Sequence, residues 1–249
     1  MVEPPVVILK SKQHSIFKLS LTIGSTNIGK FILYNSLITF AVNFSAPFFA
    51  VYMLRDLKVS YLTYVIINSA ATLSTLIFMP FWGKRIDRAG NVKVLKAASL
   101  LIPLMPILWL FSTNIYYLCG IQVFGGFAWA GFSLAISLFL YDAAPSENRT
   151  RYFALSNALL FAGASFGSLL GGIMAPIVPP ILKNSLLTIF LISGLARIVI
   201  VFFFASHISE VRQVPKTSIK EIMFGGINLT SLKGFSDYVF QRFHKFGKK

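Results

Sequence analysis

The chain has 249 residues, of which 55% are hydrophobic and only 12% charged, with 25 phenylalanines and a net charge of +15. A soluble domain carries about 25% charged residues, so this composition excludes an ordinary soluble globule and points to the bilayer. The basic residues sit in clusters between apolar runs, whereas a nucleic-acid binder needs a basic face on a soluble surface; no nucleic-acid partner is expected.

Enzymatic chemistry has little to work with. The acids number eight, and none lies deep inside an apolar run. His14, His207 and His244 are scattered, and no Cys/His spacing supports a metal site. Cys119 is alone, which rules out an internal disulfide and reads as a small apolar residue within a helix. There is no phosphate-binding glycine loop and no nucleophile triad. The sequence therefore predicts no enzyme, no cofactor and no metal.

Residues 1–30 form a basic lead-in with Lys10, Lys12, Lys18 and Lys30. Its apolar stretch, Ile16 to Ile23, is short and broken by Lys18, so it does not read as a signal peptide. Residues 31–54 are free of charge and form a first span; residues 59–83 form a second. Residues 97–141 run for 45 residues without a charge. A bilayer core takes about 20 residues of helix, so this run holds the third and fourth spans, divided at Ser112, Thr113 and Asn114. Residues 152–182 make a fifth span ending near Pro179 and Pro180, and residues 185–206 a sixth, interrupted only by Arg197. Lipid cannot satisfy exposed backbone groups, so each span is expected to be helical. Pro47, Pro103 and Pro106 are expected to bend their helices. Residues 208–249 form a basic tail, either amphipathic and lying on an anionic leaflet or simply solvated.

Charge placement predicts orientation. Nineteen basic residues lie in the two terminal segments and in the second and fourth connections; the other side has Arg55, Lys58 and Lys183. By the positive-inside rule both termini are expected in the cytoplasm and the bilayer is expected to be the cytoplasmic membrane. Tyr52, Tyr61, Tyr64, Trp109, Tyr116 and Tyr117 are read as outer-interface aromatics, and Trp82, Tyr141 and Tyr152 as inner ones.

The stretch "FWGKRIDRAGNVKVLK", Phe81 to Lys96, holds five basic residues and one acid. It reads as an inner-face loop built on a tight turn, with Gly83 and Gly90 supplying backbone freedom. The order Gly83, Asp87, Arg88, Gly90 and Leu95 resembles the loop motif of the major facilitator superfamily, G-x-L-A-D-R-x-G-R-K-x-x-L. Arg85 and Ile86 stand where Leu-Ala is usual, and Asn91 and Val92 where Arg-Lys is usual. "APSENRTRYFALSNALLFAGASFGSLLGG" is similar to the family's P-E-x-R loop, here Pro145, Glu147 and Arg149, followed by a glycine-rich helix. Gly163, Gly167 and Gly171 fall four apart, the small-xxx-small pattern that lets helices approach closely. "GSLLGG" resembles G-P-x-x-G-G, with Ser168 in place of proline.

The resemblance covers about residues 31–207 and is greatest to the carboxy-terminal half of such a transporter. It implies an all-α membrane fold of six transmembrane helices in two inverted three-helix repeats, residues 31–112 and 115–206. It also implies that the first, second, fourth and fifth helices line a central cavity. Candidate lining residues are Asn35, Thr39 and Asn43 on the first span, Asn68, Thr72 and Thr75 on the second, and Gln122, Trp129, Ser133 and Ser137 on the fourth. Interhelical hydrogen bonding is the alternative for each. Asp87 is expected near the amino end of the fifth helix, where the helix dipole favours a carboxylate. Arg85 and Arg88 would then pair with Asp142 or Glu147 to close an inner gate. Arg197, the one charge deep in a span, is expected to be structural rather than substrate-binding.

The function implied is half of a secondary transporter. It would move a small solute by alternating access once paired with a second six-helix half, as a homodimer or with a separate chain, and the Gly163–Gly167–Gly171 face is expected to serve such pairing. The other reading is a non-transporting membrane anchor or assembly subunit.

Overall fold

A computed structural model describes residues 26–180, 184–204 and 207–211. The rest of the lead-in, Lys183 and the tail beyond residue 211 lie outside the described residues. Among the described residues, six helices are long and apolar enough to cross a membrane. The first span is α1 (Asn27–Val51), whose last turn widens into a π-helical Tyr52–Asp56. The second is α2 (Tyr61–Ala89). The third is broken into α3 (Asn91–Leu101) and α4 (Leu104–Leu108). The fourth, fifth and sixth are α5 (Ile115–Ala143), α6 (Arg149–Met174) and α7 (Ser185–Phe204).

Side-chain caps start several of these helices. Thr26 accepts from the Gly29 amide, Ser60 from Thr63 and Asn114 from Tyr116. Each such bond satisfies one of the amides that a helix start leaves unpaired.

The expected loop over 84–96 is absent. α2 runs on through Lys84, Arg85, Asp87 and Arg88 to Ala89, and α3 starts at Asn91. Long basic side chains reach water from a helix end without unwinding it, so charge did not mark the helix boundary. The turn is the single residue Gly90, at φ 90° and ψ 164°, a conformation that a side chain resists. Gly83 sits within α2 and has no turn to make. Likewise the fifth span begins at Arg149 and ends at Met174, earlier at both ends than the charge-free run 152–182.

Packing follows the expected repeat. α1 packs chiefly on α6, and α2 on α5; α3 packs on α5, and α1 on α7. Exchanging the first three spans for the last three turns each of these pairs into the other, as two inverted repeats require. The third and sixth spans lie behind α1 and α5. There Phe31, Tyr34 and Ile38 of α1 meet Leu95 and Ala98 of α3 and Phe132 and Phe139 of α5 in the main core.

Three aromatic expectations are corrected. Tyr52 and Trp109 are buried and pack with Phe49 and Phe190 in a second cluster, with Phe49 and Phe190 stacked at 4.1 Å. Trp82 is fully buried, and its indole N–H donates to the Phe127 carbonyl at 2.8 Å. They hold helices together instead of marking the interface. Tyr61, Tyr116 and Tyr141 are exposed.

Candidate functional site: the open face of the bundle

Helical geometry divides α1 into three sectors at about 100° per residue. Tyr34, Ile38, Ala41 and Ser45 are buried toward the core. The carbonyls of Ser36, Phe40 and Phe44 face α6, where a Cβ on Gly163, Gly167 or Gly171 would lie 2.6, 2.3 or 2.2 Å from them. The glycine stripe is therefore filled by α1 of the same chain. This corrects the expectation that it offers a face to a second unit.

Asn35, Thr39 and Asn43 fall in the remaining sector. Asn35 is buried, while Thr39 and Asn43 are half-buried. The Asn43 amide donates to the Thr39 carbonyl at 2.9 Å. On α5, Trp129, Ser133 and Ser137 occupy the sector that neither α2 nor α3 covers. Both serines are exposed, and each donates to the carbonyl one turn back. The Trp129 ring stands edge-on to Phe132 at 5.5 Å. Asn68 and Gln122 are joined across the α2–α5 joint, with the Gln122 amide donating to Asn68 Oδ1 at 3.3 Å. Thr72, one turn on from Asn68, is exposed.

α6 adds polar residues that the sequence did not suggest as lining. Next to its glycine face lie exposed Asn157 and Ser165 and half-buried Ser168; beyond them comes an apolar sector with exposed Phe166, Leu169 and Ile173. Asn157, Ser165 and Ser168 share one side of the helix, but they are eight and three residues apart, with Phe161 between the first two, and so make no regular polar stripe in the sequence.

At the basic end, α3 begins with Asn91, fully buried, whose amide donates to the Asp142 carboxylate at 2.6 Å. Asn91 is a departure from the motif that turns out to bridge the third and fourth spans. Residues 207–211 fold back across this end. Ile208 is buried, Ser209 and Asn27 exchange two hydrogen bonds, and the Glu210 carboxylate accepts from the Val92 amide at 2.8 Å. Asp87 and Arg88 are exposed on the last turn of α2. Arg85 lies over the Phe81 ring and donates to the Phe81 carbonyl. Glu147 is exposed on the turn Ser146–Asn148, and the Arg149 guanidinium lies 4.0 Å over the Tyr141 ring. Arg197 is buried between α7, α1 and the break in the third span.

Comparison with known proteins gives this geometry a family. A model described as Major Facilitator Superfamily matches residues 31–242. The tetracycline resistance protein, class H, of Pasteurella multocida is 30% identical over 102 residues, which is 41% of this chain and 25% of that protein. The quinolone resistance protein NorA of Staphylococcus aureus is 25% identical over 149 residues, 59% of this chain and 38% of NorA. The aligned region thus spans between a quarter and two-fifths of the relatives' length.

Proposed function

The chain belongs to the Major Facilitator Superfamily and is an integral membrane protein, and from that premise we propose that it forms one half of a secondary transporter. The half moves a small amphipathic solute by alternating access, and a second six-helix unit, on the same polypeptide or another, closes its open face. One observation carries this reading. In the most apolar stretches of the second and fifth spans only 11% and 17% of residues are buried, against 33% to 56% in the others. α2 and α6 flank the polar sectors of α1 and α5, so the least covered helices border the polar face. Apolar Leu62, Leu73, Leu76 and Ile77 on α2, with Phe166 and Leu169 on α6, are exposed beside it.

Polar residues facing lipid are costly, so Asn43, Thr72, Ser133 and Asn157 are better explained by a wet path. Thr39, Asn43, Thr72, Trp129 and Ser133 are the proposed lining, with hydroxyls, an amide and an indole but no carboxylate. Such a surface suits a solute with a flat apolar body and few charges. The names of the two relatives, for tetracycline and quinolone resistance, agree with that class. The anchor reading gains nothing from the glycine stripe, because α1 fills it.

The test is uptake of tetracycline and of a fluoroquinolone into everted vesicles, with the mass of the active assembly measured in native nanodiscs. Twelve spanning helices are expected in the transporting particle; transport by a six-helix monomer would sink the proposal. The cytoplasmic placement of the basic end rests on the nineteen-to-three charge distribution. With Cys119 replaced, Lys58→Cys should react with an impermeant thiol reagent from outside while Lys93→Cys is protected. The opposite pattern inverts the topology.

A further inference from the structure

Arg197 is a buried cation that the transport reading leaves without a task. It is 2% exposed, and its partners among the described residues are all neutral oxygens. Nη1 donates to the Ile102 carbonyl at 3.3 Å; Nη2 donates to Ser45 Oγ at 3.0 Å and to the Val42 carbonyl at 3.5 Å. A buried guanidinium with no carboxylate is costly, so its surroundings must offer unusually needy acceptors.

The third span provides one. An α-helix bonds the N–H of each residue to the carbonyl four positions earlier. Pro106 has no N–H, so the Ile102 carbonyl loses its helical donor. The helix breaks there, between Leu101 and Leu104, and Arg197 supplies the missing donor from α7. Its other branch lands on α1 in the turn before Pro47, the residue whose missing N–H leaves the Asn43 carbonyl without a helical donor. Ser45 continues the chain by donating to Ser193 Oγ at 2.9 Å, and Ser193 donates to the Ala41 carbonyl at 2.6 Å. One planar fork therefore reaches two proline-weakened helices at once, which a single ammonium cannot do.

We propose that Arg197 is a positioning residue, a main-chain brace that pins the proline break of the third span to the first span and so fixes the bearing of the Thr39–Asn43 sector. The brace is a property of the six-helix unit and holds whatever solute the open face takes. Hydrogen–deuterium exchange on the full chain in nanodiscs tests it. Arg197→Met should speed exchange about tenfold, the factor that corresponds to about 1.4 kcal/mol, in residues 104–110 and 42–49. Residues 69–76 and 123–131, at the α2–α5 joint, should not change. Arg197→Lys should speed the same two segments by a smaller factor, and it stands in should Arg197→Met fail to fold. Pro106→Ala restores a donor to Ile102, so adding it to either variant should suppress the effect at 104–110 and leave it at 42–49. Uniform acceleration in every helix, no acceleration with Arg197→Lys, or no suppression by Pro106→Ala would each overturn the brace.

Discussion

Two helix pairs occupy equivalent places in the repeats, α1 with α6 and α2 with α5, and they are joined by different chemistry. At α1–α6 three glycines in one row bring backbone onto backbone, and one side-chain bond crosses, from Ser36 Oγ to the Leu159 carbonyl at 2.7 Å. At α2–α5 a series of donors reaches carbonyls of the facing helix: Ser74 to Val123 at 2.6 Å, Thr75 to Gly126 at 3.2 Å and Trp82 to Phe127 at 2.8 Å. Glycine matters there too, in the same way at one point and in another way at a second. Gly126 admits the Ala71 carbonyl and Gly131 admits the Trp82 ring. Inverted symmetry therefore fixes which helices meet but leaves the means of contact to each pair. In lipid there is no hydrophobic drive between helices, so close packing and hydrogen bonds are the two means available.

The largest expected effect tests the first joint. A methyl group at Gly167 or Gly171 would meet a carbonyl oxygen at 2.3 or 2.2 Å, and that oxygen belongs to backbone, which cannot swing aside. Gly167→Ala and Gly171→Ala should each destabilise by about 1–3 kcal/mol, the usual range for overpacking, read from unfolding curves in mixed detergent. If both behave like Ser36→Ala, the joint does not depend on close approach. The second joint should give way in smaller steps. Trp82→Phe keeps the buried ring but removes the N–H, at a cost of about 1 kcal/mol, and Ser74→Ala should cost about 0.6 kcal/mol, the average for such a contact in a membrane. A Ser74→Ala loss larger than that of Gly167→Ala would reverse the comparison.

The contrast also marks what could be read from sequence. Six spans follow from charge-free length, because the bilayer constrains length and hydropathy strongly. The row Gly163, Gly167 and Gly171 declared a close contact, but spacing alone cannot name the helix that fills it. Thr75 read as cavity lining, Trp82 as an interface aromatic and Ser74 as nothing in particular, because all three act on main-chain oxygens, which carry no residue-specific signal. Gly126 and Gly131 escaped notice because their spacing is not four. Arg197 stood out as an anomaly, yet its acceptors are a carbonyl freed by Pro106, ninety-odd positions earlier, and the turn before Pro47. Of the candidate lining residues, the polar stripes were visible by periodicity, while the division between Asn68–Gln122 pairing and the uncovered Thr72 needed the partner helix.

The smallest expected effect separates two glycines that the motif treats alike. Gly90 connects α2 to α3 at a positive φ, so any side chain there is strained whatever the space around it. Gly83 lies in the helical part of α2, on the side facing α5, and a Cβ would meet only Leu134 Cδ2 at 3.8 Å, ordinary contact. It belongs to the joint in which Gly126 alone among the described glycines meets facing backbone. A glycine inside a helix also costs roughly 0.5–1 kcal/mol relative to alanine through backbone entropy. Gly83→Ala should therefore leave stability unchanged or raise it by up to about 1 kcal/mol in the same unfolding assay. A loss comparable to that of Gly167→Ala would mean that the second joint also depends on glycine at this level, and the distinction between the two pairs would fail at the basic end of the bundle.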